Sequence, residues 1–144
     1  MAVTALYVHV PFCAQKCRYC DFDSRSFASC DLSAALDVYF EQLYARLDAF
    51  GDAGALAQVR TVYVGGGTPS LLSLEELAAI FHALKEKGYL HSPREVTFEA
   101  NPGTVDEAYL REICLYHVQY RFRRARRLPS AYARTRGHLR RPLR

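Results

Sequence analysis

Three cysteines inside eight residues, Cys13-x3-Cys17-x2-Cys20, are the side chains in this chain best suited to chemistry. Soft thiolates clustered on a short segment are the donors that zinc and iron–sulfur clusters select. Zinc motifs usually come as two Cys pairs or as Cys/His pairs, and no second pair is present. Three thiolates suit a 4Fe–4S cluster with one iron left without a protein ligand. A zinc ion completed by His9 or Cys30, or simply reduced thiols, are the other readings. Cys30 and Cys114 stand apart and read as ordinary free thiols. The odd total of five cysteines, three of them crowded, argues against a secreted disulfide framework and for a reducing compartment.

Two other stretches could meet a ligand. Gly65-Gly66-Gly67-Thr68-Pro69-Ser70 lacks both the GxGxxG spacing of dinucleotide sites and the Gly-Lys-Ser/Thr of a P-loop. Its glycines allow positive φ and close approach of backbone to a ligand, but a plain tight turn uses them equally well. Glu99, between Phe98 and Ala100, is an acid that could face solvent, form an ion pair, or bind a hydroxyl or amine. Tyr7 and His9 alternate with Val8 and Val10 and so share one face of a strand. For His9 a satisfied core histidine is the default reading.

The elements that position these residues are legible from pattern. Residues 5–10, 59–64 and 95–100 are β-branched and aromatic runs and read as strands. Each is followed by one of the candidate stretches: the cysteine loop over 11–31, the glycine loop, and Asn101-Pro102-Gly103-Thr104. Leu32, Ala35, Leu36, Tyr39, Phe40, Leu43, Leu47 and Phe50 recur at helical spacing, with Asp31 or Ser33 as N-cap and Gly51 as a stop. Ser73 with Glu76 fits a capping box for a second helix, which Gly88 ends. Thr104 reads as cap of a third helix, with Glu107 three residues on. The order βαβαβα implies a parallel sheet, as a barrel or an open doubly wound fold. In either, all three candidate stretches end on the same rim, where such folds place their sites.

The net charge of +4 conceals a break. Residues 1–110 carry 8 Lys/Arg against 14 Asp/Glu, whereas residues 111–144 carry 11 Arg and one acid. After Ile113 no period persists, which divides the chain into an α/β portion, 1–113, and an Arg-rich irregular tail, 114–144. A shift of reading frame near Ile113–Leu115 would give such a tail. A basic arm that binds nucleic acid through phosphates is the competing reading. A three-stranded half-sheet leaves its third strand with an unpaired edge. No apolar run is long enough to span a bilayer, and the first residues lack the features of a signal peptide, so a cytoplasmic location is expected.

Cys13-x3-Cys17-x-Tyr19-Cys20 with Gly65-Gly66-Gly67-Thr68-Pro69 resembles the radical S-adenosylmethionine (SAM) superfamily. The strings Leu6 to Cys13, Gly67 to Ser70 and Phe98 to Thr104 resemble one branch of it. That branch holds the oxygen-independent coproporphyrinogen III oxidases and the related haem chaperones. Phe22 stands where the oxidases carry a further cysteine, and Cys13 lies close to the first residue, which favours the chaperone type.

The resemblance implies the N-terminal part of a partial (β/α)6 barrel, three βα units followed by the basic tail. It implies that Cys13, Cys17 and Cys20 hold a 4Fe–4S cluster whose open iron is chelated by SAM. Tyr19 would lie by the adenine, Tyr7 near cluster and SAM, Gly66, Gly67 and Thr68 along the methionine end, and Glu99 in hydrogen-bonding reach of SAM. It also implies reductive cleavage of SAM to a 5′-deoxyadenosyl radical, haem or porphyrin as ligand, and a flavodoxin or ferredoxin as electron donor. A non-catalytic haem-binding chaperone is the first alternative, and an inactive truncated fragment is the second, because the family's later strands have no counterpart in the sequence.

Overall fold

The computed structural model of the chain describes residues 4–29, 31–52, 59–90, 93–115 and 119–122. Strand β1 (Ala5–Val10) leads through two short pieces, β2 (Phe12–Cys13) and β3 (Arg25–Ser26), and a 3-10 turn over Phe27–Ser29 into helix α1 (Leu32–Asp52). Strand β4 (Thr61–Gly66), a 3-10 turn over Pro69–Leu71 and helix α2 (Leu74–Glu86) follow. Strand β5 (Glu95–Ala100), helix α3 (Glu107–Cys114) and strand β6 (Gln119–Phe122) complete the described fold. The main sheet has the order β1-β4-β5-β6 and every pairing in it is parallel.

Alternation along the strands separates two faces. Val8, Val10, Val62, Val64, Val96, Phe98 and Ala100 are buried in the core. Leu77, Ile80, Phe81 and Leu84 of α2 and Tyr109 and Ile113 of α3 belong to the same core. Burying each such side chain contributes about 1.5–3 kcal/mol relative to leaving it exposed. The opposite strand positions carry Tyr7, His9, Tyr63, Thr97 and Glu99, a polar and aromatic face. Helix α1 packs less completely: Leu47 is buried, while Leu36, Tyr39, Phe40 and Leu43 are only partly so. Tyr89 fastens it by donating its hydroxyl to the Leu47 carbonyl at 3.1 Å.

The local signals explain where the helices begin and end. Asp31 caps α1 by accepting from the Ala34 amide at 3.3 Å. Gly51 does not stop that helix, which runs on to Asp52. Ser73 and Glu76 form the reciprocal capping box of α2. Gly88, at φ +80, closes it with Gly88 N–H to Lys85 O and Tyr89 N–H to Leu84 O, the bonds of a Schellman motif. The cap of α3 is Asp106, which accepts from the Tyr109 amide at 2.8 Å, and not Thr104. Thr104 instead closes the turn at Asn101 with its own amide and hydroxyl.

The outer edge of β5 is not unpaired. Strand β6 lies along it with Thr97, Phe98, Glu99 and Ala100 opposite Gln119, Tyr120, Arg121 and Phe122. A fourth strand of the sheet therefore follows the third helix. Of the predicted irregular tail, residues 116–118 and 123–144 lie outside the described residues, as does Cys30. Among the described residues no helix is long and apolar enough to cross a membrane.

Candidate functional site

The cysteine segment is pinched at its base. The β2 and β3 pieces pair in parallel, Phe12 with Arg25 and Cys13 with Ser26, so residues 14–24 project as one loop from the end of β1. Pro11, which has no N–H to offer, contributes its carbonyl to the Arg25 amide at 2.7 Å. Inside the loop the Cys20 amide bonds the Cys17 carbonyl at 3.1 Å, and Ser26 Oγ donates to the Ala14 carbonyl at 3.1 Å. Cys13 is buried at the loop's root, Cys20 is half-buried and Cys17 is exposed. All three are free thiols.

His9 holds the returning limb of this loop. Its Nε2 lies 2.7 Å from the Asp23 carbonyl, which can only accept, so Nε2 carries the proton. In the neutral ring Nδ1 is then the acceptor, and the Tyr7 hydroxyl at 3.1 Å is its donor. Both ring nitrogens are engaged, so His9 is a satisfied histidine and the zinc reading loses that ligand. Among the described residues no three His, Cys, Asp or Glu side chains gather round a single metal ion.

The three glycines do different work. A Cβ on Gly65 would stand 2.6 Å from the Tyr63 ring, so the bare backbone lets that ring lie across it. The Tyr63 hydroxyl thereby reaches Glu99 Oε1 at 2.5 Å. Gly66 adopts φ +117, a conformation that favours glycine, and a Cβ there would meet His9 Nδ1 at 2.7 Å and the Val10 carbonyl at 2.8 Å. Gly67 sits against the Phe12 carbonyl oxygen, with Cys13 Sγ 3.0 Å from where its Cβ would be. The glycine loop is thus laid directly on the end of β1. Gly67 N–H to Val10 O at 2.8 Å and Thr68 N–H to Phe12 O at 2.6 Å secure it. The Thr68 hydroxyl points to Cys13 Sγ at 3.8 Å.

These loops enclose a cleft of about 880 Å³. Cys13, Cys17, Cys20, Tyr19, Gly67, Thr68 and Glu99 all line it, so seven of the nine residues implied as cluster or SAM contacts come together. Glu99, 6% exposed, is the one charged side chain among the buried described residues. Tyr7 and Gly66 are not in the lining. Tyr7 lies on the polar sheet face, 51% exposed, its ring 5.9 Å from that of Tyr63, and Gly66 stands behind the lining against His9. Ser24, Asn101 and Thr104 join the lining without having been named as ligand contacts. The turn chemistry of Asn101-Pro102-Gly103-Thr104 was the signal that could have pointed to the last two.

The sequence profile of the radical SAM superfamily matches residues 7–121. The chain belongs to that superfamily. The match extends to within β6, in agreement with the fourth strand. The chain is 39% identical over 104 residues to the heme chaperone HemW of Haemophilus influenzae, covering 71% of this chain and 27% of that protein. It is 38% identical over 102 residues to HemW of Escherichia coli, covering 71% and 26%. The solved structure of the radical SAM enzyme coproporphyrinogen III oxidase (HemN) from Escherichia coli superposes with a TM-score of 0.70 at 20% identity. That superposition covers 84% of this chain and 28% of HemN, and shows the fold. The chain spans about a quarter of the length of the relatives it matches. The superfamily is therefore the one that the cysteine and glycine motifs resembled, and the relatives just named are of the branch that the fuller strings resembled. SAM and a 4Fe–4S cluster are the cofactors of the superfamily in general.

Proposed function

We propose that the cleft binds a 4Fe–4S cluster and SAM, and that the chain carries the cluster- and SAM-binding part of a haem- or porphyrin-handling radical SAM protein. The observation that carries this reading is the convergence of Cys13, Cys17 and Cys20 with Gly67, Thr68 and Glu99 on one cleft. The donor set fits. A 4Fe–4S cluster takes thiolates on separate irons, and Cys13, Cys17 and Cys20 all line the cleft. The bare Gly67 backbone beside Cys13 Sγ offers the close approach that a ligand of the open iron needs.

In this reading Cys13, Cys17 and Cys20 hold the cluster. Gly67 and Thr68, with Gly66 setting their path, line the methionine end of SAM. Glu99, oriented by Tyr63, accepts hydrogen bonds from SAM, and Tyr19, 80% exposed at the mouth, covers the adenine. Tyr7 approaches from the sheet face. When bound, the cluster supplies one electron for reductive cleavage of SAM. An electron donor of the flavodoxin or ferredoxin type is the matching partner. The identity to proteins named heme chaperones, together with Phe22 in place of a further cysteine, favours haem transfer over porphyrinogen oxidation.

Anaerobic reconstitution of the full chain with iron and sulfide tests the reading. It should give a broad visible absorbance that Cys13→Ala, Cys17→Ala or Cys20→Ala each abolishes. Release of 5′-deoxyadenosine on reduction would establish SAM cleavage. Haem binding without that release would establish the non-catalytic chaperone. A wild-type chain that retains no cluster would overturn the proposal and leave an inactive fragment.

A further inference from the structure

The loop after β4 and the loop after β5 are joined by hydrogen bonds whose directions can be worked out. The Asn101 amide donates to Ser70 Oγ at 2.9 Å. The Thr104 hydroxyl lies 2.9 Å from the Asn101 carbonyl, which can only accept, so its one proton is committed there. Ser70 Oγ and Thr104 Oγ1 are 2.5 Å apart. With Thr104 already donating, Ser70 must be the donor in that contact. The result is a closed circuit: Asn101 N–H to Ser70, Ser70 O–H to Thr104, Thr104 O–H to Asn101 C=O. Each hydroxyl donates once and accepts once, and hydrogen bonds that run head to tail polarise one another.

The circuit is placed where it can set the shape of the cleft. Ser70, 2% exposed, lies two residues beyond Thr68, and Asn101 lies two residues beyond Glu99. The glycine loop is already fixed on its other side to Val10 and Phe12, at the root of the cysteine loop. The Tyr63 hydroxyl, bonded to Glu99 Oε1, is a further tie between the glycine side and Glu99. We propose that Ser70 and Thr104 are positioning residues, and that their ring with Asn101 sets the separation of the glycine loop from Glu99 and thereby the affinity for SAM. The proposal rests on the reading of the cleft as the SAM site. It does not involve the thiols, which stand on the other loop.

The test uses the full chain, reconstituted anaerobically, as Ser70→Ala, Thr104→Val and Thr104→Ser variants. Cluster absorbance per chain, SAM dissociation constant and hydrogen exchange of the Asn101 amide are measured. Ser70→Ala removes the acceptor of Asn101 and the donor to Thr104, and Thr104→Val keeps the shape while removing the hydroxyl. Both should weaken SAM binding by about tenfold at unchanged cluster content, whereas Thr104→Ser should stay within about twofold of wild type. Asn101 exchange should be slow in wild type and accelerated by Ser70→Ala. Affinity within about twofold in both Ser70→Ala and Thr104→Val would overturn the positioning role. Loss of cluster along with SAM, without rescue by Thr104→Ser, would assign the ring to general folding and overturn it as well. A clustered wild type that binds no SAM would overturn the functional reading and the positioning role with it. The Asn101 exchange rates would in that case still decide whether the ring exists.

Discussion

The glycine rim and the cysteine loop line the same cleft, yet they are built by opposite means. On the glycine side Gly65, Gly66, Pro69 and Ser70 are buried, and the loop is bonded to the end of β1 and to the turn after β5. On the cysteine side residues 14–19 are exposed, and the Pro11–Arg25 and Ala14–Ser26 bonds tie the loop at its base. The glycine rim is fixed by packing before any ligand arrives. The cysteine loop has a buried root, Cys13, and an outer limb whose Cys17 and Tyr19 are exposed. The difference matches the two jobs proposed for them. A surface that reads a small molecule gains from being preorganised, while a metal-binding loop can draw its order from the metal–ligand bonds themselves.

The contrast is broken or sharpened most strongly at Gly67. A methyl group there would strike the Phe12 carbonyl oxygen, which belongs to backbone and cannot swing aside, and crowd Cys13 Sγ at 3.0 Å. Gly67→Ala should therefore destabilise the metal-free protein by about 3 kcal/mol or more in urea unfolding. A loss below about 1 kcal/mol would show the rim to be as yielding as the loop. Cys17→Ser is the counterpart on the other side. Because Cys17 is exposed, its replacement should leave the metal-free stability within about 0.5 kcal/mol of wild type. The same replacement should prevent a full cluster from forming. A large stability loss without metal would mean that the outer limb is packed after all.

The two regions also differ in how well the sequence announces them. The strands were legible because Val, Tyr and Phe runs mark the buried sheet, and the capping box at Ser73 is a local pattern with a local cause. The cysteine spacing and the glycine triplet carried the site because their chemistry is set by neighbours in the chain. What stayed hidden depends on partners far along it. Strand β6 is four residues beside an arginine run, and only its register with Thr97 to Ala100 makes it a strand. Thr104 looked like the cap of α3 because a hydroxyl three residues before a glutamate fits that pattern. It is instead committed to Asn101 and to Ser70, 34 residues earlier, and Asp106 takes the cap. The short β2 and β3 pairing that pinches the cysteine loop is likewise a contact between residues with no pattern of their own.

The smallest expected effect concerns two tyrosines, one at the root of the cysteine loop and one under β5. Tyr39 lies against Phe12 at the root of the cysteine loop, with ring centroids 5.6 Å apart. Tyr109 lies against Phe98 under the sheet, at 6.4 Å. Neither buried hydroxyl has a hydrogen-bond partner among the described residues. Burial pushes both hydroxyls well above the ordinary tyrosine value near 10, with a minor contribution from Tyr7 for Tyr39 and from Glu76 for Tyr109. A raised value in the folded state means that folding favours the protonated form. The contribution to stability is therefore fully present below about pH 10 and is lost as pH rises from there through the folded-state value. Tyr39→Phe and Tyr109→Phe should each leave stability at neutral pH within about 0.5 kcal/mol or raise it, since an unsatisfied hydroxyl is removed from the interior. Each should also lessen the loss of stability above about pH 10, read by urea unfolding across that range. If Tyr39→Phe leaves the alkaline slope unchanged while Tyr109→Phe lessens it, then water reaches the root of the cysteine loop, and the solvent exposure of the outer limb extends down to Cys13.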